Sequence, residues 1–259
     1  MVLHKPQPAP RFPPGATRFL RSLKRHNNRE WFRSRRAQFD ELVDAPMNAV
    51  IEQLAHDLRT FLPDVIASPR VSRYRLYRDT RFSDNKTPLK THVGAVFPSR
   101  HLPRHEGPGL YFEIAGGWVY AGGGIYMPQP ETVQLLREHI ATHYGRLARI
   151  ISRRLFRSLF GELQGDKLTR MPRGFPADHP AGDLLKYRQM LVGREWPASF
   201  ASSPRFYSEL LRTFRTAAPL IRFLNEPIAR GSERPRDPLA PIRGPGRPDA
   251  QAIRAKRRW

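Results

Sequence analysis

Apolar residues recur at the helical period over the first 61 positions and again over 130–230, and a block of two-residue alternation separates the two regions. Phe19, Leu20 and Leu23 mark one face of a short helix for which Thr17 is the candidate N-cap. After a turn at His26-Asn27-Asn28, an apolar stripe runs through Phe32, Phe39, Val43, Met47, Val50, Leu54, Leu58 and Phe61. Steps of three, four or seven residues predict one long amphipathic helix from Arg29. Pro46 predicts a kink or restart within it, with Asp44 as the candidate cap.

The alternating block spans about Arg70 to Ile125. Gly116-Gly117, between YFEIA and WVYA, signals a hairpin that sets Glu113 opposite Tyr120 and Ile114 opposite Val119. Alternation then puts Phe112, Ile114, Val119 and Ala121 on an apolar face and Tyr111, Glu113, Trp118 and Tyr120 on the other. For VSRYRLY, read as a strand, the same logic sends Tyr74 and Leu76 inward and Arg73, Arg75 and Tyr77 outward. In THVGAVF it sends Val93, Ala95 and Phe97 inward and His92 outward. The expected result is an open face carrying Arg73, Arg75, His92, Tyr111, Glu113, Trp118 and Tyr120, with helices on the opposite face.

Pro130 opens another long helix whose predicted stripe is Leu136, Ile140, His143, Leu147, Ile151, Leu155 and Leu159, ended by Gly161. Leu184-Leu185 predicts a short helix, RQMLVGREW one more strand, and Ser203-Pro204 the start of a last helix that continues past Pro219. These elements give an α+β fold: one domain over residues 16–230, with a mostly antiparallel sheet packed against long helices. Residues 1–15 read as an irregular lead-in. Residues 231–259 read as a disordered, basic, Pro- and Arg-rich tail.

Composition sharpens this. The chain has no cysteine, which excludes disulfides, thiolate nucleophiles and Cys-ligated zinc. No signal-like or membrane-length apolar run occurs, so the expectation is a cytoplasmic protein without a membrane partner. The net charge is +22, of which the tail supplies only +5, so a surplus of +17 lies within residues 1–230. Such a surplus favours polyanionic partners.

Within the folded region, charge is densest in RVSRYRLYRDTRFSDNKTPLKTH, Arg70 to His92, where five arginines and two lysines face two aspartates. Forked guanidinium groups and mobile ammonium groups suit phosphate or carboxylate. Arg75, Arg78, Arg81, Asn85, Lys86 and Lys90 are the candidate ligand-binding residues, and Asp79 orients an arginine. The plainer account is an ion-pair network that pins the loop, but two aspartates cannot neutralise seven cations. His92 and Glu113 share the open face and, with Asp79, are the candidate acid–base groups. Trp118 and Tyr120 there offer stacking surface, although a covering helix would leave them purely structural. His139 and His143 stand four apart, yet Glu138 precedes the pair and no third ligand suggests itself, so no metal site or cofactor is expected. Gly122–Gly124 lacks the residues of a phosphate-binding loop, and no serine-hydrolase elbow occurs.

The run RLYRDTRFSDNKTPLKTH resembles the hallmark of a mainly bacterial family, domain of unknown function 2461, with the pattern R-x-x-R-D-x-R-F followed by [DN]-K-x-x-Y. Arg75, Arg78, Asp79, Arg81, Phe82, Asn85 and Lys86 fall on its positions. NNREWF at 27–32, GGGIYMP at 122–128 and HPAGDLLKYR at 179–188 are similar too. Leu89 stands where the pattern has tyrosine, and Arg188 where a lysine is usual. The resemblance implies a compact α+β domain of unassigned activity. Three functions follow from these residues: binding of a phosphate-bearing ligand or nucleic acid at the 75–92 loop, hydrolysis or phosphoryl transfer by Asp79, His92 and Glu113, or a structural or adaptor role.

Overall fold

A computed structural model of the chain describes residues 8–81, 83–100 and 106–231; Phe82 of the motif and the tail beyond Gly231 lie outside them. The supposed lead-in contains a core anchor. Phe12 is fully buried, meets Phe206 edge-on, and donates its N–H to the Ala201 carbonyl at 3.0 Å. Helix α1 (Gly15–Arg25) follows. Thr17 is not its cap but lies inside it, buried, one turn too late.

Asn28 caps α2 (Arg29–Ser34) by accepting the Trp31 N–H at 2.8 Å. Then come α3 (Arg36–Phe39), a π turn (Asp40–Asp44) and α4 (Ala45–Phe61). Pro46 therefore causes no restart. Its ring would collide with a carbonyl four residues back, and the wider π turn just before it takes up the mismatch. Asp44 keeps helical dihedrals and caps nothing; its carboxylate pairs with Arg73 instead. The stripe from Phe32 to Leu58 is buried as predicted.

The strand expected from Arg70 does not form. Ser68 caps a single turn, α5 (Pro69–Ser72), and the chain then runs extended beside the sheet, touching it through an Arg73–Ala95 bridge and a Tyr74 N–H to Gly94 carbonyl bond of 3.1 Å. The sheet is β1 (His92–Pro98), β2 (Gly109–Ala115), β3 (Trp118–Ile125) and β4 (Met190–Pro197), antiparallel in the order β1-β2-β3-β4. Glu113 does pair with Tyr120 and Ile114 with Val119. The turn glycine Gly116 is needed for a different reason than its hairpin place, since a Cβ there would lie 3.0 Å from the Arg21 backbone of α1.

One face of the sheet carries Phe97, Phe112, Ile114, Val119 and Ala121, all buried, with Phe97 packed on Phe112 and Phe214. That face is covered by α9 (Phe206–Gly231), which runs through Pro219 and Pro227, and α9 packs in turn on α6 (Pro130–Ile151). The second stripe holds at Leu136, Ile140 and Leu147 but not at His143, half-buried where α6 departs from helical dihedrals, and Ile150 rather than Ile151 is buried. The chain breaks at Ser152-Arg153, and α7 (Arg154–Phe160) starts in a new phase that buries Phe156 and Phe160 and exposes Leu155. Gly161, with φ +70°, ends α7 as expected, and α8 (Gly182–Leu185) leads into β4. The fold is α+β, a single domain, with no helix among the described residues long and apolar enough to cross a membrane.

Candidate functional site

The 75–90 loop is a hairpin-like projection with a rigid base. Arg78 N–H donates to the Pro88 carbonyl and Lys90 N–H to the Leu76 carbonyl, both at 2.9 Å, around a Tyr77–Leu89 bridge. The base is fastened to the α1–α2 turn by Asn27, whose amide donates to the Leu89 carbonyl at 2.8 Å and accepts the Leu89 N–H at 3.0 Å. Leu89 is wholly buried. Tyr77 meets Phe32 edge-on at 6.1 Å, so the exposed arginines of α2 stand beside the loop.

The tip sorts its charges into two sets. Asp79 takes both oxygens' worth of bonding from one residue, with Arg81 Nε at 3.0 Å and Nη2 at 2.8 Å. The Arg81 side-chain bond, then its backbone N–H, hold the Asp79 carboxyl down at about 2. This fork is exposed, with Arg81 at 77%. Arg78 is used internally, on the Thr87 and Ser83 hydroxyls at 2.9 and 3.4 Å, while Asn85 accepts the Thr87 N–H and hydroxyl. Lys86 Nζ donates to the Thr80 carbonyl at 3.2 Å and is exposed, as is Arg75. Lys90 lies over the Tyr74 ring at 4.7 Å.

The second sheet face is not the open surface expected. Alternation gave the right side for the residues of β1 to β3, but Glu113 is 1% exposed, His92 8% and Tyr120 7%. Glu113 accepts the Tyr111 hydroxyl at 2.8 Å and the Trp118 indole N–H at 3.0 Å, with His92 Nε2 at 3.7 Å. Burial, and then the Glu113 charge, push the Tyr111 hydroxyl well above its usual value. Two glycines make room for this layer: a Cβ at Gly94 would lie 2.9 Å from the Tyr111 hydroxyl, and one at Gly193 2.1 Å from the Tyr120 hydroxyl. Arg75 does not join the face, and Arg73 turns away to Asp44. Tyr74, expected in the core, is the residue that reaches over to Tyr111. Tyr120 consequently has no open ring face for stacking, and Trp118 is only partly exposed.

The three proposed acid–base groups are not assembled. Asp79 is committed to Arg81 on an exposed tip, whereas His92 and Glu113 are buried on the sheet. No cluster of three metal-ligating side chains occurs among the described residues. His139 is buried, its ring 4.7 Å from His143 and 4.6 Å from Phe223. Burial lowers it to about 4 against the pull of Glu226, so the folded protein holds it neutral. The unfolded chain then binds the extra proton between pH 6.5 and about 4, and stability should fall as pH drops through that window. We expect a loss of about 2–3 kcal/mol there, flattened in His139→Phe, as read from urea midpoints at successive pH values.

Sequence reasoning missed Asn27, 62 positions from its partner and without any local signal beyond a turn. The other family-like segments also have identifiable structural tasks. Asn28 caps α2, the Tyr187 hydroxyl donates to the Leu163 carbonyl at 2.9 Å, and Gly122–Gly124 lie where β3 meets the β4 backbone. A search of curated proteins returns no match. The model of a family described as a conserved hypothetical protein, DUF2461, matches residues 15–223. That span takes in the clamped loop and α1 through most of α9, and the chain belongs to the DUF2461 family.

Proposed function

We propose that this protein binds nucleic acid through its phosphate backbone, using the clamped 75–90 loop. The observation that carries the reading is the exposure of Arg75, Arg81 and Lys86 on a projection clamped at its base, beside the exposed Asp79–Arg81 pair. A small phosphate ligand would favour enclosure. These cations are instead spread outward and continue onto exposed Arg29, Arg33 and Arg35 around α2, which suits a long polyanion. Arg78 and Asn85 shape the tip, Lys90 and Tyr74 seat its base, and Trp118 contributes at most an edge. The reading implies positioning without base specificity.

Full-length protein should bind a fluorescent duplex of about 20 base pairs with log affinity falling against log salt by about 0.9 per phosphate neutralised. Arg75→Ala/Arg81→Ala/Lys86→Ala should weaken binding at every sequence tested and flatten that slope by about 2–3, with the melting temperature unchanged. An unaltered slope in the triple variant, or no binding at low salt, would overturn the reading. Comparison with the parent protein holds the contribution of the basic tail constant.

A further inference from the structure

Two adjoining cavities of about 590 and 420 Å³ share Ile150, Arg153 and Pro219, so they form one groove between α6–α7 and α9, bounded at one end by Leu62 and Asp64 after α4. We propose that this groove docks an acidic, amphipathic peptide segment of a partner protein.

Three features of the groove specify that chemistry. Its floor is apolar, made by Ile150, Pro219, Phe223 and Leu155, the last 45% exposed because the break at Ser152-Arg153 turned it out of the core. Its rim is cationic on balance, with Arg146, Arg153, Arg212, Arg215 and Arg222 outnumbering Asp64 and Glu226. Arg153 and Arg222 are exposed and form no ion pair among the described residues, whereas Arg146 is matched by Glu226. The lining also contains an acceptor in need of a donor: Asn225 is 7% exposed and its Oδ1 has no hydrogen-bond partner. A buried amide oxygen left unpaired is costly, and a ligand N–H would relieve it.

Carboxylates for the rim, aliphatic side chains for the floor and an N–H donor for the Asn225 oxygen occur together in a peptide. A nucleic acid lacks the aliphatic groups and a fatty acid lacks the N–H. The chain's own C-terminal tail has the wrong sign, with eight basic and three acidic residues over 231–259.

The test uses two fluorescein-labelled peptides of about 15 residues, one with Glu and Leu at helical spacing and one alternating, against full-length protein in anisotropy titrations. At least one should bind, and Arg153→Glu/Arg222→Glu should weaken it about tenfold or more, while the Arg75/Arg81/Lys86 alanine variant should leave it unchanged. Asn225→Leu provides an independent reading. Removing an unpaired buried polar group should raise the melting temperature while peptide affinity falls severalfold, a pair of changes that a purely structural residue would not give. Failure of both peptides, equal binding by a leucine-free polyglutamate peptide, equal loss in the loop variant, or unchanged affinity in Asn225→Leu would each overturn the proposal. The nucleic-acid titration is read on different variants, so either reading can fall alone.

Discussion

Gly124→Ala should destabilise the protein by about 4 kcal/mol or more, enough to remove most of the stability of an ordinary domain. Two effects act together at this position. Gly124 has φ +133°, a region that side chains rarely enter, and a Cβ there would lie 2.1 Å from the Met190 carbonyl oxygen of the neighbouring strand. Backbone cannot step aside as a flexible side chain can, so β3 and β4 must separate or the residue must change conformation. Gly122 is confined by the second effect alone, with the Val192 oxygen at 2.0 Å from its Cβ position. Gly117→Ala is the internal control. Nothing lies within 4 Å of its Cβ position, and it should be neutral or stabilising by about 0.5 kcal/mol. Urea unfolding of the three proteins, with m held equal, reads the contrast directly. Equal midpoints for Gly124→Ala and Gly117→Ala would contradict the packing described.

Glu113→Leu should have an effect nearly as large, about 3–5 kcal/mol. The substitution leaves the Tyr111 hydroxyl and Trp118 indole N–H without their acceptor on a face where Glu113 is 1% exposed. Glu113→Gln retains one carbonyl oxygen and similar volume, and Tyr111 can rotate its hydroxyl to suit, so a loss of about 1–2 kcal/mol is expected. The pair of variants also bears on chemistry. If Glu113 only organises this layer, Glu113→Gln should leave nucleic-acid affinity and salt slope at parental values. A Gln variant as unstable as the Leu variant would mean that the negative charge itself, shared with His92, holds the face together.

The contrast between legible and illegible features has physical causes. Periodicity reports which side of an element a residue faces, and it placed the Phe32–Leu58 stripe in the core, while the Gly116-Gly117 turn set Glu113 against Tyr120. It does not report whether a polar face is covered, so His92, Glu113 and Tyr120 looked exposed. Alternation in VSRYRLY resembled a strand, but Ser68-Pro69 just upstream is a helix-start signal, and it won locally to form α5. The π turn solved the Pro46 problem without the restart that proline usually forces. The loop's density of cations was visible in the sequence. The division of labour within it was not, because Arg78 and Arg81 differ only in which neighbours they meet. Asn27 and the α6–α9 groove depend on residues far apart in the chain, beyond any local pattern.

The sheet order β1-β2-β3-β4 has a consequence for synthesis. Strands β1 to β3 form a local meander, but the partner that completes β3 is separated from it by residues 126–189, which include α6, α7 and α8. At about 5–20 residues per second, β4 emerges from the ribosome several seconds after β3. During that interval the glycine-rich stretch Gly122–Gly124 is an edge of nearly bare backbone, open to strand pairing with another nascent chain. The glycines that let β4 approach so closely in the finished fold are thus a hazard while the chain is half made, and slowing translation across 126–189 should lower the soluble yield.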